Sequence, residues 1–334
     1  VKFLAQFCVF LLLALPAHAW WDEDWAHYKE VTISSATGAG TNYQVRLDIG
    51  ASTGGDFHLE GNSDDFPAAE DDGGDLRFLD NDDSTELDFW VEDSDGSTAT
   101  VWVEVQDDLS SSPVTINVYY GNDAGSLSDS DGESSFLFFD DFDDANELDT
   151  TTKWDTVFGT PTVSNGILEL VAHEHCKTQA AQGKGRWRVR LRWTVEAAVG
   201  GWQGWQSTLH GGNYFIVDSY NADSAGNAVG HINPGPELTQ FSVDEGNWHT
   251  YQLDWFEDDQ YIYQDGVSKG SDVGTNDPSG TMYFYLDAYS GITVQYDWMF
   301  RGKFVNNEPD FSSAGVEQSQ VADRRSMTVS DAQD

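Results

Sequence analysis

Between Trp248 and Gly266 the chain reads WHTYQLDWFEDDQYIYQDG. Tyr251, Leu253 and Trp255 alternate with Gln252 and Asp254, a period of two that puts one apolar row on one face of a strand. Glu257, Asp258 and Asp259 make a polar turn, and Tyr261 to Tyr263 start a second strand. Asp265-Gly266 closes it with a pair that readily takes positive φ. The pattern predicts a hairpin, and the rest of the second half supplies its sheet partners. Arg186 to Val195 alternate strictly, and Val163 to Leu170, Tyr214 to Val217, Met282 to Leu286 and Val294 to Phe300 read as further strands.

The first half follows the same rule. Val31 and Ile33 begin a strand, and Tyr43, Val45, Leu47 and Ile49 alternate with Gln44, Arg46 and Asp48. Residues 50 to 74 are rich in Gly, Asp and Ser and read as loop. Leu76 and Phe78, Leu87 to Val91, Thr100 to Val105 and Thr115 to Tyr120 are short strands separated by Gly/Asp/Ser turns. No helical period intervenes, so the expected class is all-β, with two β-sandwich domains.

Residues 1–19 stand outside this pattern. Lys2 precedes an apolar run from Phe7 to Leu15, followed by Pro16 and Ala17-His18-Ala19. That is the pattern of a secretory signal peptide with an A-x-A cleavage site, and the run is too short to span a bilayer. The expectation is a secreted, extracellular or cell-surface protein with no membrane span in the mature chain. Cleavage removes Cys8 and leaves Cys176 as the single cysteine, so the domains fold without an internal disulfide. A sandwich domain is expected over 20–130, a Ser/Asp/Gly-rich linker over Gly125 to Ser135, a second domain over 135–305 and a flexible tail over 306–334.

Charge narrows the partners. With 58 acidic and 16 basic residues the formal net charge is −42. Nucleic acid needs clustered Lys and Arg, so it is not an expected partner. The acidic residues are spread along the chain without a repeated calcium-loop spacing. That favours a solvating surface suited to high salt, where screening over roughly 3 Å at about 1 M removes self-repulsion.

The first domain carries Trp21, Trp25, Tyr28 and Lys29, then Asp75-Leu-Arg-Phe78, Val101-Trp-Val-Glu-Val105 and Tyr119-Tyr-Gly-Asn122. These resemble a secreted domain family of unknown function that opens W-x3-W-x-Y-[RK], here stretched by one residue at Ala26-His27. The resemblance implies a surface module commonly followed by a lectin-like domain, and no catalytic residues. In the second domain, Phe138-Phe-Asp-Asp-Phe142, Ser164-Asn-Gly-Ile-Leu-Glu-Leu170, the hairpin and Tyr296-Asp-Trp298 resemble the concanavalin A-like lectin/glucanase fold, in particular laminarinase-type hydrolases and their non-catalytic relatives. The resemblance implies an antiparallel jelly roll with one concave face.

Catalytic members of that group carry E-x-D-x-x-E or E-x-D-x-E on one strand, a nucleophile and an acid about 5 Å apart in a retaining enzyme. The corresponding stretch, Asn213 to Tyr220, holds Asp218 and no Glu, while Glu196 and Glu237 lie on other segments. The expectation is a non-enzymatic carbohydrate-binding or adhesion protein; the alternatives are a divergent glycoside hydrolase or lyase, using Asp218 with Glu196, and a structural cell-envelope component. The expected partner is a glycan or cell-surface polysaccharide, with other envelope proteins in the structural alternative. Sugar rings stack on aromatic faces and need polar groups around them. The candidates are Trp202, Trp205, Tyr214, Tyr220 and Tyr285, with Gln203, Gln206, His210 and Asn213.

Arg186, Arg188, Arg190 and Arg192 share one strand face and are four of the nine arginines. They read either as a grip on an acidic polysaccharide or as partners for acidic neighbours across the strands, and the second is favoured. The fold resemblance further implies a structural Ca²⁺ held at Asp141, Gly166 and Asp297. His173-Glu-His175-Cys176 offers two histidines on one strand face, but no third metal ligand at a recognisable spacing, so a polar strand end is favoured.

Overall fold

The computed structural model describes residues 21–320, apart from 123–128, 144–146, 196–200, 219–226, 234, 236–240, 243–245, 275 and 290. The expected signal peptide and residues 321–334 lie outside the described residues. The first sandwich contains β1 (His27–Ile33), β2 (Tyr43–Gly50), β3 (Phe57–His58), β4 (Arg77–Asp80), β5 (Phe89–Ser94), β6 (Thr98–Val105) and β7 (Val114–Tyr120). A single helical turn, α1 (Gly132–Ser135), precedes the second sandwich. That sandwich contains β8 (Phe138–Asp140), β9 (Trp154–Phe158), β10 (Thr162–Ser164), β11 (Ile167–Val171), β12 (Glu174–Thr178), β13 (Gly185–Val195), β14 (Trp202–Thr208) and β15 (Gly211–Asp218). It continues with β16 (Asn227–Asn233), β17 (Phe241–Ser242), β18 (His249–Phe256), β19 (Asp259–Gln264), β20 (Val267–Asp272), β21 (Tyr283–Ala288) and β22 (Thr293–Gly302). Two further strands, β23 (Phe311–Ala314) and β24 (Gln318–Ser319), follow.

The fold is all-β, as the alternation requires. In the first sandwich, the sheet β23-β1-β7-β4 faces the sheet β3-β2-β6-β5 across a core that includes Val31, Val45, Leu47, Val101 and Val118. In the second, the sheet β10-β11-β22-β13-β18-β19-β20 faces β17-β16-β15-β14-β21-β12-β9. Their shared core holds Trp187, Trp193, Trp205, Phe215, Leu253 and Phe284. The hairpin forms as its pattern predicts: Trp255 pairs with Gln260 and Phe256 with Asp259. Asp265 and Gly266, at φ 51° and 73°, then turn the chain into β20.

The two sandwiches stack. Trp90 and Trp102, on the outer face of β5 and β6, pack with Phe136, Phe139, Trp298 and Phe300 in one buried aromatic cluster. The arginine row of β13 faces the same junction. Arg186 makes a two-point pair with Asp254 at 2.8 Å through each nitrogen, in cross-strand register. Arg188 instead grips Glu92 of the first sandwich, and Arg190 reaches Glu70 at 2.8 Å. The acidic partners of this row are therefore divided, with Asp254 and Asp297 on its own sheet and Glu92 and Glu70 on the first sandwich.

Two boundaries differ from expectation. Part of the segment read as a linker docks: Ser130 bridges to Phe89, and Asp131 caps α1 by accepting from the Ser134 amide. The tail read as flexible from residue 306 returns to the first sandwich, where β23 pairs with Val31–Ile33 and β24 with His27 and Tyr28. Two of its glutamates find partners on the sandwiches. Glu308 accepts from Tyr43 and Arg186, and Glu317 from Asn62 and Tyr120. Among the described residues, no helix is long and apolar enough to cross a membrane.

Candidate functional site

Alternation in the β14–β21 sheet sends every second side chain to its outer face. Leu286 and Ala288 point into the core, so Asp287 points outward; Cys176 does the same for His175, and Phe215 and Val217 do so for Tyr214 and Asp218. Register then aligns four of these residues. His175 pairs with Asp287, and Trp202 pairs with Asp218. The Trp202 amide donates to Asp287 Oδ2 at 3.2 Å, which joins the two pairs. The result is a row across four neighbouring strands: His175, Asp287, Trp202, Asp218.

His210 completes the row from above. It sits in the β14–β15 turn at φ 51°, with its amide donating to Gln206 Oε1. Its Nε2 lies 2.8 Å from Asp287 Oδ2. His175 Nδ1 lies 3.7 Å from the other oxygen, Oδ1. Asp287 is fully buried, yet Oδ1 makes no hydrogen bond. Burial holds the His175 ring below the ordinary histidine value, with Asp287 opposing and His210 reinforcing the shift. Burial and the charge of Asp218 raise the Tyr214 hydroxyl. Aromatic rings wall the row: Trp202 lies edge-on to His210 and tilted against Tyr214, Tyr289 lies edge-on to His210, and exposed Phe158 stacks on His175.

The structure sorts the sequence-derived candidates by strand parity. Trp202, Tyr214, Tyr285 and His210 belong to the outer face. Trp205 does not: it is fully buried between Trp187, Phe215, Trp255 and Phe284, so its reading as a sugar platform is corrected. Gln203 shares that parity, and its amide is spent on Asp287 backbone and the Tyr296 hydroxyl in the interior. Asn213 turns to the rim, where it donates to the Ser279 carbonyl at 2.5 Å. Tyr220, Glu196 and Glu237 lie outside the described residues. Asp287 itself escaped the sequence reading. Its signal was an acid on the polar parity of Tyr283-Phe-Tyr-Leu-Asp-Ala288, opposite Phe284 and Leu286.

A second cluster lies at the junction of the sandwiches. Carboxylate oxygens of Asp71, Asp141 and Asp143 lie within 4.8 Å of one another. Gly166 backs onto them at φ 71°, and a Cβ there would fall 2.2 Å from Asp143 Oδ1. Two of the three expected calcium positions, Asp141 and Gly166, therefore meet. The third, Asp297, is turned to Arg190 at 2.5 Å, and Asp71 of the first sandwich stands in the cluster instead. Burial pushes the Asp71 carboxyl up to about 6, opposed by the Trp90 indole N–H and reinforced by Asp141, Asp143 and Asp297. An all-oxygen set of this kind fits Ca²⁺.

Residues 72–157 match the family described as a domain of unknown function, DUF2341. The match crosses from the first sandwich into the start of the second. No curated protein matches the chain. Among solved structures, the chain is similar to a prokaryotic β-1,3-1,4-glucanase (lichenase) from a mouse hindgut metagenome, at 14% identity over 50% of this chain and 99% of that one, TM-score 0.39. It is similar to the catalytic domain of an endo-1,3-β-glucanase (laminarinase) from Thermotoga petrophila RKU-1, at 13% identity over 49% and 96%, TM-score 0.40. It is also similar to the Crh5 transglycosylase, at 13% identity over 52% and 86%, TM-score 0.41. The expectation of a non-enzymatic chain does not stand against these comparisons, whose structures are glucanases and a transglycosylase; the likeness itself is one of fold. The sequence reading sought paired carboxylates on one strand; the sheet brings Asp287 and Asp218 into one row from two strands.

Proposed function

We propose that the outer face of the β14–β21 sheet binds a neutral glycan and hydrolyses it, outside the cell or at its surface. The row His175–Asp287–Trp202–Asp218 is the observation that carries this reading. Trp202 offers a ring face for a sugar, with Tyr214 against it and Tyr289 against the neighbouring His210. Asp287 and Asp218 stand two strands apart, roughly 10 Å between backbones at the usual strand spacing. That spacing is too wide for direct attack by one carboxylate and suits a water between them, as in inverting hydrolysis. In this reading Asp218 donates the proton to the leaving oxygen, and Asp287, oriented by His210, activates the water. Two aspartates in the row and a net charge of −42 disfavour a polyanionic substrate.

The test incubates the full chain with β-1,3- and mixed-linkage glucans in high salt and follows reducing ends, with the product anomer read by NMR. Release of the inverted anomer, lost in Asp218→Asn, is expected. No release from any neutral glucan, or unchanged release in Asp218→Asn, removes the hydrolytic reading. We also propose that Asp71, Asp141 and Asp143 hold a structural Ca²⁺ that ties the two sandwiches together.

A further inference from the structure

We propose that the cleft between the two sandwiches is a second glycan site, and that it takes a sugar unit carrying a free amine. The cleft has a volume of about 730 Å³, within the range of roughly 300–1,000 Å³ common to small-molecule sites, which favour domain interfaces. One wall is the outer face of β2 and β6, the other is the outer face of β13, β18 and β19, and the segment from Phe304 to Asp310 lines the rest. Burial separates floor from mouth: Arg186 and Asp254 are buried, whereas Arg46, Asp56 and Asp310 are exposed. The floor is saturated and fixed. Asp254 accepts from Arg186 through both oxygens and from Gln252 Nε2, all at 2.8 Å. Glu308 accepts from Arg186 at 2.6 Å and from the Tyr43 hydroxyl at 2.9 Å. Arg188 donates to Gln252 Oε1 at 2.7 Å and pairs with Glu92, outside the cleft lining.

Two features of the cleft name the ligand. The first is a pair of carboxylates without a cation. Of the six carboxylates that line the cleft, Asp254 and Glu308 pair with Arg186, Asp48 pairs with Arg46 at 2.9 Å, and Asp265 faces His249 at 2.6 Å. That leaves Asp56 and Asp310. Among the described residues, each of these carboxylates accepts only from a backbone amide, Asp56 from Asp48 and Asp310 from Phe311. Burial holds the Asp56 carboxyl above the ordinary aspartate value; the Asp48 amide and Arg46 oppose this, and the charges of Asp48 and Asp310 add to it. An ammonium group at these two carboxylates would supply the missing countercharge through charge-assisted hydrogen bonds.

The second feature is Tyr263. Register sets it beside Gln252 and sets Gln252 beside Arg188, so the three form one row across the wall. The ring is half-buried, and its hydroxyl has no hydrogen-bond partner among the described residues. Burial and the charge of Asp254 raise that hydroxyl above the ordinary tyrosine value against the pull of Arg186, so it stays a donor. A ring face with an unspent hydroxyl suits the C–H face and hydroxyls of a sugar. The surplus of carboxylates turns away an anionic sugar, and Arg186 and Arg188 are already committed to acids. This site is separate from the outer face of the β14–β21 sheet and does not rest on the hydrolytic reading above.

The test titrates the full chain by calorimetry with a glucosamine tetrasaccharide, its fully N-acetylated form and spermine. High salt screens the general attraction of the acidic surface for any polyamine. One glucosamine tetrasaccharide per chain is expected, with the N-acetylated form weaker by about tenfold or more. The double variant Asp56→Asn, Asp310→Asn should lose about tenfold or more of the affinity for the amine sugar. Tyr263→Ala should lose roughly threefold to tenfold for the sugar and nothing for spermine. Asp56 and Asp310 are exposed, so the circular dichroism of the double variant should match the parent. Trp202→Ala should bind the amine sugar as the parent does. No binding, equal binding of the N-acetylated form, or binding unchanged in both cleft variants overturns the proposal. A loss in Tyr263→Ala shared by spermine, or a loss in Trp202→Ala, overturns it as well. Amine-sugar binding that responds to the cleft variants, without any glucan hydrolysis, leaves the cleft site standing and removes only the hydrolytic reading.

Discussion

Arg188 of the second sandwich clasps Glu92 of the first, with Nη2 2.6 Å from Oε1 and Nε 3.0 Å from Oε2. Both side chains are largely buried, and the Trp102 indole N–H donates to the same Glu92 at 2.7 Å. Breaking a buried pair by removing one partner leaves an unpaired charge and costs about 3–5 kcal/mol. Glu92→Ala is expected to lose that much stability in urea unfolding. Arg188→Lys should recover little of it, because an ammonium cannot reproduce the two-point geometry.

Trp202 and Trp205 are three residues apart and should separate cleanly in experiment. Trp202→Ala should weaken glycan binding with a near-parental melting temperature, since the ring stands on the outer face. Trp205→Ala should destabilise the fold by about 3–5 kcal/mol, because it empties a fully buried site. Paired calorimetric titrations and melting curves check both.

Glu308 gives a pH dependence with a definite sign. Burial holds its carboxyl above the ordinary glutamate value; Arg186 pulls it down and Asp254 pushes it up. The folded state therefore keeps this proton to higher pH than the unfolded chain. The contribution is fully present below the unfolded value of about 4.3 and declines as pH rises through the folded value. Glu308→Gln should flatten that decline, measured as urea midpoints across the acidic range.

Calcium should raise the melting temperature of the parent through Asp71, Asp141 and Asp143. Asp143→Asn should reduce that rise. Gly166→Ala should abolish it, because its Cβ would meet Asp143 Oδ1 at 2.2 Å in a backbone conformation disfavoured for L-residues. Scanning calorimetry with calcium and with chelator decides it.

The sequence by itself determined the local structure. Period-two alternation in Tyr43 to Ile49, Arg186 to Val195 and Tyr251 to Trp255 set which residues face a core, because successive side chains on a strand must point to opposite faces. The Asp265-Gly266 turn was equally legible, since few residue pairs accept two positive φ angles. Alternation could not show which outer face meets solvent. Arg188 and Trp298 have the polar or outward parity of a surface, yet the first sandwich covers them. Nor could it show that the segment after residue 306 returns to β1. The candidate site was hidden for the same reason. His175 and Asp287 lie on strands far in the chain from each other and from the β14–β15 hairpin that carries Trp202 and Asp218, and only cross-strand register brings them into one row. Spacing along a chain fixes neighbours within a strand, whereas neighbours across a sheet are fixed by pairing, which tertiary packing decides.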